Sequence, residues 1–330
     1  MLRAGVLGLG MMGRHHARAL RQLDGVELAG VADPQGDRFG CARGVPCVDG
    51  LEALLKLGID ICVVAVPTGD HEAAGVRLAD AGVHALIEKP LALTVSAGRR
   101  LVRAFEEARL IGCVGYVERY NPALRSLQAR LQAGHLGTIF QIATRRQGPF
   151  PNRVSDIGVV KDLATHDLDL TIWMAGSPFA SISARTVQRT ETQHEDLVAA
   201  TGLLVDGTVT NHLVNWLSPM KERIMTVTGE RGCLVADALT TTLTFVANDT
   251  ATTVRKGFSP GCDQPQGDMI LYDIPKLDPL AAQLSAFRDA VRYGMGDVVP
   301  MGDGLVTLEV AEACLASARK GITIDLCPIP

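Results

Sequence analysis

The chain of 330 residues is 47% hydrophobic and 21% charged, and it has a formal net charge of −4. That length suits two domains, and the hydrophobic share is enough for a sizeable core. With a sequence pI of about 6.1, the chain lacks the basic charge typical of nucleic-acid-binding proteins, so no nucleic-acid partner is expected.

The N-terminus and the cysteines together indicate a cytoplasmic protein. Met1–Val6 has one arginine before a short apolar run that ends at glycine, which is not the pattern of a signal peptide. No apolar stretch approaches the ~20 residues that span a bilayer, so no membrane partner is expected. The eight cysteines are scattered without a Cys-x-x-Cys pair. Packing as reduced thiols therefore outweighs a metal or redox role, and no metal site is expected.

The first third of the chain alternates short apolar runs with helical patterns. Strands are predicted at Ala4–Leu7, Val26–Ala32, Ile59–Val64, His84–Ile87 and Ile111–Val114. Helices are predicted near Met11–Gln22, Leu51–Lys56, His71–Ala81 and Ser96–Ala108. Strands that alternate with helices are typical of an α/β domain with a parallel sheet covered on both faces.

A glycine motif stands between the first predicted strand and the first predicted helix. Gly8, Gly10 and Gly13 form G-x-G-x-x-G at this point. The first glycine allows the tight turn, the second lets backbone N–H groups approach a pyrophosphate, and the third lets helix and strand pack closely. Met11 and Met12 begin the helix, whose N-terminus favours an anionic diphosphate. The context predicts a dinucleotide-binding Rossmann domain.

The second predicted strand ends at Asp33, 20 residues after Gly13. A carboxylate at this position accepts hydrogen bonds from the adenosine ribose and repels a 2′-phosphate, which indicates NAD over NADP. Arg38 is close in sequence, although a predicted helix separates it from the strand end, so dual use stays open. The alternatives are a glycine turn without a ligand and Asp33 as a helix N-cap.

The loop after Ile59–Val64 lies where parallel sheets bind their ligands, at the carboxyl end of a strand. Pro67, Thr68 and His71 are therefore candidate cofactor contacts. Capping of the next helix by Thr68 or Asp70 is the alternative.

Glu88, Lys89 and Pro90 follow the strand His84–Ile87. A lysine at this strand end would face a nicotinamide and hydrogen-bond a substrate hydroxyl, and burial would lower its pKa toward the working range. Glu88 is a candidate cofactor contact beside it. The alternative is that Lys89 is an ordinary surface lysine.

The pattern changes after Val114. A helix at Ala123–Ala133 precedes a strand at Gly137–Gln147, and a helix follows at about Leu163–Met174. Asp162 and His166 are four residues apart, so on a helix they share a face, and Asp162 would orient an imidazole that acts as a general base. A helix cap and half of a metal site are the alternatives.

The remainder of the chain has the pattern of an α+β domain with a large, mostly antiparallel open sheet. Asp206-Gly207 lies between the alternating runs Leu197–Val205 and Thr208–Trp216, which predicts a hairpin. Further strands are predicted at Arg223–Thr228 and Cys233–Ala236, and closing helices at Pro279–Tyr293 and Gly304–Lys320.

The three motifs Gly8–Gly13, Glu88-Lys89-Pro90 and Asp162-x-x-x-His166 together resemble the glucose–fructose oxidoreductase/inositol dehydrogenase (Gfo/Idh/MocA) family, over nearly the whole chain. Segments such as Gly115–Ala123 and Asn215–Lys221 are similar to its UDP-N-acetylglucosamine 3-dehydrogenase branch. Lys161 departs from that branch, in which an apolar residue is more usual before the aspartate.

The resemblance implies that Lys89, Asp162 and His166 form the catalytic set, and it leaves open which of Lys89 and His166 is the formal base. It also implies that these three residues contact the substrate. The other implied substrate contacts are Tyr116, Arg119, Asn121, Arg146 and Arg153. Arginines suit a diphosphate, although Arg145 and Arg146 are neighbours on a predicted strand, so at most one of them faces a cleft. A surface ion pair is the alternative for each arginine.

The family likeness predicts an NAD-binding domain at residues 1–118 and a substrate-binding and oligomerisation domain at residues 119–330. It implies a homodimer or homotetramer formed through the C-terminal sheet. The implied function is an NAD-dependent sugar dehydrogenase that oxidises a secondary hydroxyl, the 3-hydroxyl, of a nucleotide-linked amino sugar such as UDP-N-acetylglucosamine. A cyclitol or sugar-phosphate dehydrogenase and a non-catalytic NAD-binding regulator are the alternatives.

Overall fold

The computed structural model describes residues 1–151, 157–191, 193–248 and 268–326. The chain folds into two compact units, each with its own core. The first comprises Met1–Tyr120, the described part of Asn152–Asp169, and Asp278–Ala313. The second comprises Asn121–Pro151 and the described parts of Leu170–Leu277 and Cys314–Pro330.

This division differs from the two contiguous segments 1–118 and 119–330, because the chain returns twice to the first unit. The second return has a clear physical cause. Leu280, Leu284 and Phe287 belong to the same buried cluster as Val6 and Val31 of the first unit. These C-terminal side chains therefore complete the core of the N-terminal unit.

The first unit is built on a six-stranded sheet in the order β3-β2-β1-β4-β5-β6, and each of its strand pairs is parallel. Its strands are β1 (Leu2–Leu7), β2 (Val26–Ala32), β3 (Cys47–Val48), β4 (Ile61–Val64), β5 (His84–Ile87) and β6 (Gly112–Val114). The five predicted strands are confirmed. Two residues are too few to show a hydrophobic period, so β3 could not be predicted from the sequence.

Helices cover this sheet because its strands bury both faces. Leu7 lies in one apolar cluster and Val6 in the other, as alternation along a strand requires. The helices of this unit include α1 (Met11–Leu20), α2 (Leu51–Leu55), α3 (His71–Asp80), α4 (Val95–Glu107), α7 (Pro279–Tyr293) and the first turns of α8 (Met301–Lys320).

The segment after β2 corrects one expectation. No helix lies between Asp33 and Arg38, since residues 34 and 35 form a turn and Gly36 has a φ of +69°. Gly36 and Gly40, both at positive φ, break the segment before a helical period can begin. Arg38 is therefore separated from the strand end by a turn rather than by a helix.

The second unit is built on a nine-stranded sheet in the order β14-β13-β12-β11-β7-β10-β9-β8-β15. Its strands are β7 (Ile139–Pro149), β8 (Phe179–Val187), β9 (Leu197–Leu204), β10 (Val209–Asn215), β11 (Leu217–Gly229), β12 (Gly232–Asp237), β13 (Thr242–Ala247), β14 (Met269–Tyr272) and β15 (Ile324–Asp325). The pair β7–β10 is parallel and the other pairs are antiparallel. The predicted large, mostly antiparallel sheet and its hairpin at Asp206-Gly207 are confirmed.

One buried cluster fills the space between this sheet and α5 (Pro122–Gln132). Leu124 and Leu127 of α5 pack with Ile142, Val227 and Leu234 of the strands. The alternating inward residues of β7, β11 and β12 thus form the core that the two-residue period predicted.

The helix predicted at Leu163–Met174 begins earlier and is irregular. Val160–Ala164 form a π-helical turn, and α6 continues regularly over Thr165–Ala175. A spacing of four residues in sequence does not distinguish a π turn from an α turn, so the irregularity had no signal in the sequence.

A buried histidine in the second unit gives a prediction on pH and stability. His212 is enclosed on β10 with its Nδ1 2.8 Å from Thr144 Oγ1, and burial lowers its pKa to about 4. The unfolded chain takes up a proton near pH 6.5 while the folded chain does not, so stability falls as pH drops below 6.5. From pH 7 to 5, this one residue is expected to cost the wild type roughly 2 kcal/mol of unfolding free energy.

Urea unfolding of wild type and His212→Gln at both pH values measures this difference. The variant is expected to lose less stability on acidification than the wild type. His135→Gln, at an exposed position of the same unit, is the matched control and should behave as the wild type does. Identical pH dependence in wild type and His212→Gln would contradict the argument.

Candidate active site

The glycine turn is shaped by three different constraints. Gly8 has a φ of +89°, and a Cβ there would lie 2.5 Å from the carbonyl oxygen of Ala65. A Cβ on Gly13 would overlap the carbonyl oxygen of Gly8. Gly10, in contrast, has φ −63° and ψ −160°, and a Cβ there would meet nothing within 4 Å. Gly8 and Gly13 are therefore required by the turn itself, whereas Gly10 borders open space.

That open space is a cavity of about 550 Å³ in the first unit. It lies where β1 and β4 are neighbours and their connections leave in opposite directions, the point at which such sheets bind ligands. Ten of the residues predicted to bind the cofactor line it: Gly8, Gly10, Met11, Met12, Asp33, Pro67, Thr68, His71, Glu88 and Lys89. Asp162, which was predicted to be catalytic, and Ile157 also border it.

The cavity fits a dinucleotide. Gly10 is the N-cap of α1, no side chain caps the helix there, and no acidic residue stands in its first turn. The free N–H groups and the positive end of the helix therefore face a space that a Cβ would otherwise occupy. Backbone donors without a side chain over them are what a diphosphate requires.

Asp33 connects the second strand to the glycine turn. Its Oδ2 accepts a hydrogen bond from Leu9 N at 2.8 Å, and its Oδ1 accepts one from Gln35 N at 2.8 Å. Since no helix follows, Asp33 is not a helix N-cap, and that alternative is wrong. The carboxylate is held at the rim of the cavity by two backbone donors.

The loop after β4 contains two predicted contacts with different surroundings. Thr68 is buried in a short 3-10 turn, Thr68–Asp70, at the cavity wall. Asp70 makes no capping hydrogen bond to α3. The ring of His71 is 1% exposed, with Nδ1 3.0 Å from the carbonyl oxygen of Pro90 and Nε2 3.1 Å from that of Val66. Both nitrogens of His71 thus face the protein backbone.

Lys89 and Asp162 form an ion pair at the cavity wall. Lys89 Nζ donates to Asp162 Oδ1 at 2.6 Å and to the carbonyl oxygen of Asp162 at 2.7 Å. The side chains are 12% and 3% exposed. The alternative of an ordinary surface lysine is wrong, because the amine is enclosed and directed at a buried carboxylate.

His166 lies one turn beyond Asp162, near the start of α6, and is buried. The ring of Tyr116 packs edge-on against it, with ring centroids 6.0 Å apart. Burial raises the pKa of Tyr116, so the phenol is neutral and contributes a packing surface rather than a charge. Tyr116 is thus a neighbour of the predicted catalytic histidine.

Arg119 has partners that the sequence did not reveal. Its Nε and Nη2 donate to the two carboxylate oxygens of Asp169 at 2.9 and 2.7 Å, and its Nη1 donates to Asp303 at 2.9 Å. The carboxylate of Asp169 is buried. This geometry favours a structural role for Arg119, as the centre of these ion pairs, over the predicted contact with substrate.

The other implied substrate residues lie in the second unit or outside the described residues. Asn121 caps α5 through its Oδ1, and its Nδ2 donates to the carbonyl oxygen of Ala238 at 3.0 Å, which is a structural use of the side chain. Arg146 is buried on β7, while Arg145 is exposed and paired with Glu222 at 2.8 Å, as alternation along the strand predicted. Arg153 lies outside the residues that the structure describes.

Lys161, which departs from the branch pattern, does not point its charge into open space. Its Nζ donates to the carbonyl oxygen of Leu93 at 2.7 Å and pairs with Glu312 at 2.6 Å. The extra cation is therefore neutralised next to Asp162.

In the part of the chain that the structure describes, no group of His, Cys, Asp and Glu residues has the arrangement of a metal site.

Sequence reasoning missed His16. This residue is fully buried on α1, and its Nε2 lies 2.7 Å from Oε1 of Glu88. A signal was present, because His16 follows Gly13 by three residues and therefore shares the inward face of the helix.

Comparison with known proteins identifies the family. Residues 2–116 match a family model described as an oxidoreductase family with an NAD-binding Rossmann fold, and residues 124–235 match the GFO/IDH/MocA C-terminal domain. A UDP-N-acetylglucosamine 3-dehydrogenase of Acidithiobacillus ferrooxidans is 31% identical over 296 residues, which cover 88% of each chain. The chain belongs to the GFO/IDH/MocA oxidoreductase family. The predicted resemblance is confirmed.

The chain is also similar to a relative with a different named substrate and to solved structures. An inositol 2-dehydrogenase of Saccharopolyspora erythraea is 26% identical over 99% of this chain and 96% of its own. The solved structure of the Acidithiobacillus enzyme superposes with a TM-score of 0.84 at 27% identity, over 97% of this chain and 98% of that one. An Agrobacterium radiobacter oxidoreductase, crystallised with NAD⁺, L-tartaric acid and magnesium, shares the fold with a TM-score of 0.85 at 19% identity and 98% coverage of both chains.

No helix within the described ranges is long and apolar enough to cross a membrane.

Proposed function

We propose that the protein is an NAD-dependent dehydrogenase that oxidises a secondary hydroxyl, the 3-hydroxyl, of a nucleotide-linked amino sugar such as UDP-N-acetylglucosamine. The observation that carries the chemistry is the buried ion pair between Lys89 Nζ and Asp162 Oδ1, at 2.6 Å, in the wall of the cavity that the glycine turn borders. The substrate class is supported by the relative that is 31% identical over 88% of this chain.

In this proposal the chain handles the proton of the reacting hydroxyl. Bound NAD would supply the hydride acceptor. Lys89 would hydrogen-bond the sugar oxygen and favour its alkoxide form, and Asp162 fixes the amine in place. His166, buried one turn along the helix against Tyr116, would take or return the hydroxyl proton together with Lys89.

The cofactor would be held by the lining of the cavity. The diphosphate would lie on the N–H groups at Met11, Met12 and the N-cap Gly10, and the ribose would meet Asp33. Pro67, Thr68 and Glu88 would line the nicotinamide side. In this assignment Gly8 and Gly13 give the turn its shape, and Gly8 also lines the cavity.

Gly10→Ala tests whether the diphosphate lies on the N–H groups at the start of α1. Its backbone angles are open to alanine and the new methyl meets nothing within 4 Å, so stability should hold while the methyl occupies diphosphate space. The dissociation constant for NAD, from calorimetric titration, is expected to rise by about tenfold or more, since about 1.4 kcal/mol of lost binding suffices. Gly50→Ala is the matched control, because Gly50 is also an extended helix N-cap in open space but lies away from the cavity lining. An unchanged affinity of Gly10→Ala for NAD would rule out this position for the diphosphate.

Asp33 tests the cofactor preference. The wild type is expected to favour NAD over NADP, because the carboxylate at the cavity rim repels a 2′-phosphate. Asp33→Asn keeps one acceptor oxygen, which can still accept from Leu9 N, and removes the charge. The ratio of kcat/KM for NAD and NADP should therefore move toward NADP. A wild type that prefers NADP, or a ratio that Asp33→Asn leaves unmoved, would refute this role.

The experiment that tests the function is turnover by the purified protein with NAD. NADH formation with UDP-N-acetylglucosamine, and none with myo-inositol, is the expected result. NADH formation with myo-inositol alone would favour the second candidate, a cyclitol dehydrogenase, which the inositol 2-dehydrogenase relative supports. Cofactor binding without turnover of any sugar would point to a regulator.

We also propose that the outer face of the nine-stranded sheet pairs with a second copy of the chain. Val209 and Leu203 lie opposite each other on β10 and β9 and are 46% and 43% exposed. Apolar side chains on an open sheet face are typical of subunit interfaces. Light scattering of the eluting protein should therefore give the mass of a dimer or a tetramer.

A further inference from the structure

We infer that two buried histidines, His16 and His71, hold the residues on either side of Lys89 and so position its amine. His16 contacts Glu88, which precedes the lysine, and His71 contacts Pro90, which follows it. The inference rests on the proposed function, since it takes Lys89 as the reacting amine. It makes both histidines positioning residues, which act on the chemistry through Lys89.

His16 holds the Glu88 side from α1. The imidazole is 0% exposed, and its Nε2 lies 2.7 Å from Glu88 Oε1. Burial acts to raise the pKa of Glu88, but its contacts with His16 and Lys89 together hold that pKa below its ordinary value. Glu88 is therefore an anion inside the protein, and the hydrogen bond to His16 helps to stabilise it there.

The same carboxylate reaches the backbone of the lysine itself. The second oxygen of Glu88, Oε2, accepts a hydrogen bond from Lys89 N at 3.3 Å. Gly115 leaves just enough room for this carboxylate, because a Cβ there would lie 3.0 Å from the same oxygen. The backbone at Lys89 is thus tied through Glu88 to the helix that carries the glycine turn.

His71 holds the Pro90 side from α3. Its two ring nitrogens lie 3.0 Å from the carbonyl oxygen of Pro90 and 3.1 Å from that of Val66. Burial lowers the pKa of His71, although hydrogen bonding to these carbonyls acts to raise it, so the ring is neutral and carries one N–H. This N–H can donate to only one of the two carbonyl oxygens, and our inference places it on Nδ1, toward Pro90.

The contacts of His16 with Glu88 and of His71 with Pro90 hold the backbone on both sides of Lys89, so they determine where its side chain begins. Lys89 reaches Asp162 by two hydrogen bonds of 2.6 and 2.7 Å, a geometry that depends on where its backbone is held. Displacement of a reacting group by about 1 Å can cost about 10²-fold in rate. Loss of either histidine should therefore slow turnover without removing a group that touches the substrate.

Two substitutions at each histidine distinguish the loss of its hydrogen bond from the loss of its side-chain volume. His16→Gln keeps a donor near the Nε2 position, whereas His16→Leu removes it. His71→Asn keeps a donor near Nδ1 and the Pro90 carbonyl, whereas His71→Gln places it toward Val66. His212→Gln is the matched control, since it removes a fully buried imidazole in the second unit. All variants are measured with UDP-N-acetylglucosamine and NAD.

We expect His16→Leu and His71→Gln to lower kcat roughly 10- to 100-fold. In His16→Leu, which changes a residue outside the cavity lining, the dissociation constant for NAD should stay near the wild-type value. His16→Gln and His71→Asn should recover most of that loss, and their folding keeps the test valid if His16→Leu does not fold. Turnover unchanged in all four variants would overturn the inference. So would equal losses in the conservative and the disruptive member of each pair.

A second readout does not require turnover. Trace labelling with an amine-reactive reagent, quantified by peptide mass spectrometry, reports the reactivity of Lys89 against the exposed Lys56. His16→Leu and His71→Gln should raise the relative labelling of Lys89, and His212→Gln should leave it unchanged. Labelling that none of the variants alters would overturn the inference. If the wild type turns over no sugar, the proposed function fails, and this measurement still decides whether the histidines hold Lys89.

Discussion

Lys89→Met is expected to lower kcat with the sugar substrate by roughly 10²- to 10⁴-fold, the range attributed to general acid–base groups. Methionine keeps the length and packing of the side chain but lacks the ammonium that Asp162 fixes at 2.6 Å. The change leaves the glycine turn and Asp33 untouched, so affinity for NAD should stay near wild type. Steady-state kinetics and calorimetric titration of NAD measure the two effects separately.

Two controls accompany Lys89→Met: the stability of the variant, and the same substitution at an exposed lysine. Asp162 is buried, and the substitution removes a cation that lies beside its carboxylate, so the melting temperature must be recorded with the kinetics. Lys56→Met, at an exposed position, should have wild-type kinetics. His166→Ala is expected to lower kcat to a similar extent. Wild-type turnover in both Lys89→Met and His166→Ala would refute the assignment of the catalytic set.

Arg119→Met is expected to lower the free energy of unfolding by about 3–5 kcal/mol, the usual cost of removing one partner of a buried ion pair. The guanidinium donates to both carboxylate oxygens of Asp169 and to Asp303. Burial raises the pKa of Asp169 to about 6, and Arg119 is the cation that opposes this effect. Without Arg119, Asp169 has to remain charged in an enclosed site or take up a proton, and either state costs free energy in the fold. Chemical denaturation at neutral pH measures the loss, and Arg119→Lys should recover little, because an ammonium cannot donate in the same bidentate way.

The same experiment decides between the two roles considered for Arg119. Arg99→Met is the matched control, since Arg99 is 67% exposed in its pair with Glu309 and such pairs contribute about 0–1 kcal/mol. If Arg119 were a substrate contact, its replacement would raise KM for the sugar and leave unfolding unchanged. That outcome would restore the interpretation drawn from the sequence.

The N-terminal sheet could be predicted because its strands are buried on both faces and are separated by helices. A short, continuous apolar run such as Ile61–Val64 is typical of a strand in a parallel sheet that is buried on both faces. The glycine turn was equally predictable, because Gly8 and Gly13 are imposed by clashes that any other side chain would produce. The cavity follows from these local rules, and the family likeness implied that Lys89 and Asp162 belong to one catalytic set. Their direct hydrogen bond was not predicted, because the sequence pattern assigned Asp162 to the imidazole of His166.

What the sequence could not provide were the partners of long polar side chains. The family likeness implied that Arg119 and Asn121 contact the substrate. Their hydrogen bonds to Asp169 and Ala238 join residues 50 and 117 positions apart. The pairing of His16 with Glu88 spans 72 positions. Such contacts are set by how the elements pack, and no local period records them.

The π-helical turn at Val160–Ala164 has a consequence at the level of the gene. A π turn closes over one residue more than an α turn. Losing one codon between Asp162 and His166 would leave a regular helix, with their spacing reduced from four residues to three. Because the π turn fits one residue more into about one turn, Asp162 and His166 would keep roughly the same relative direction around the helix axis after this deletion. A single codon gained or lost in frame can therefore lengthen or shorten this helix without turning the residues on either side of it to different faces.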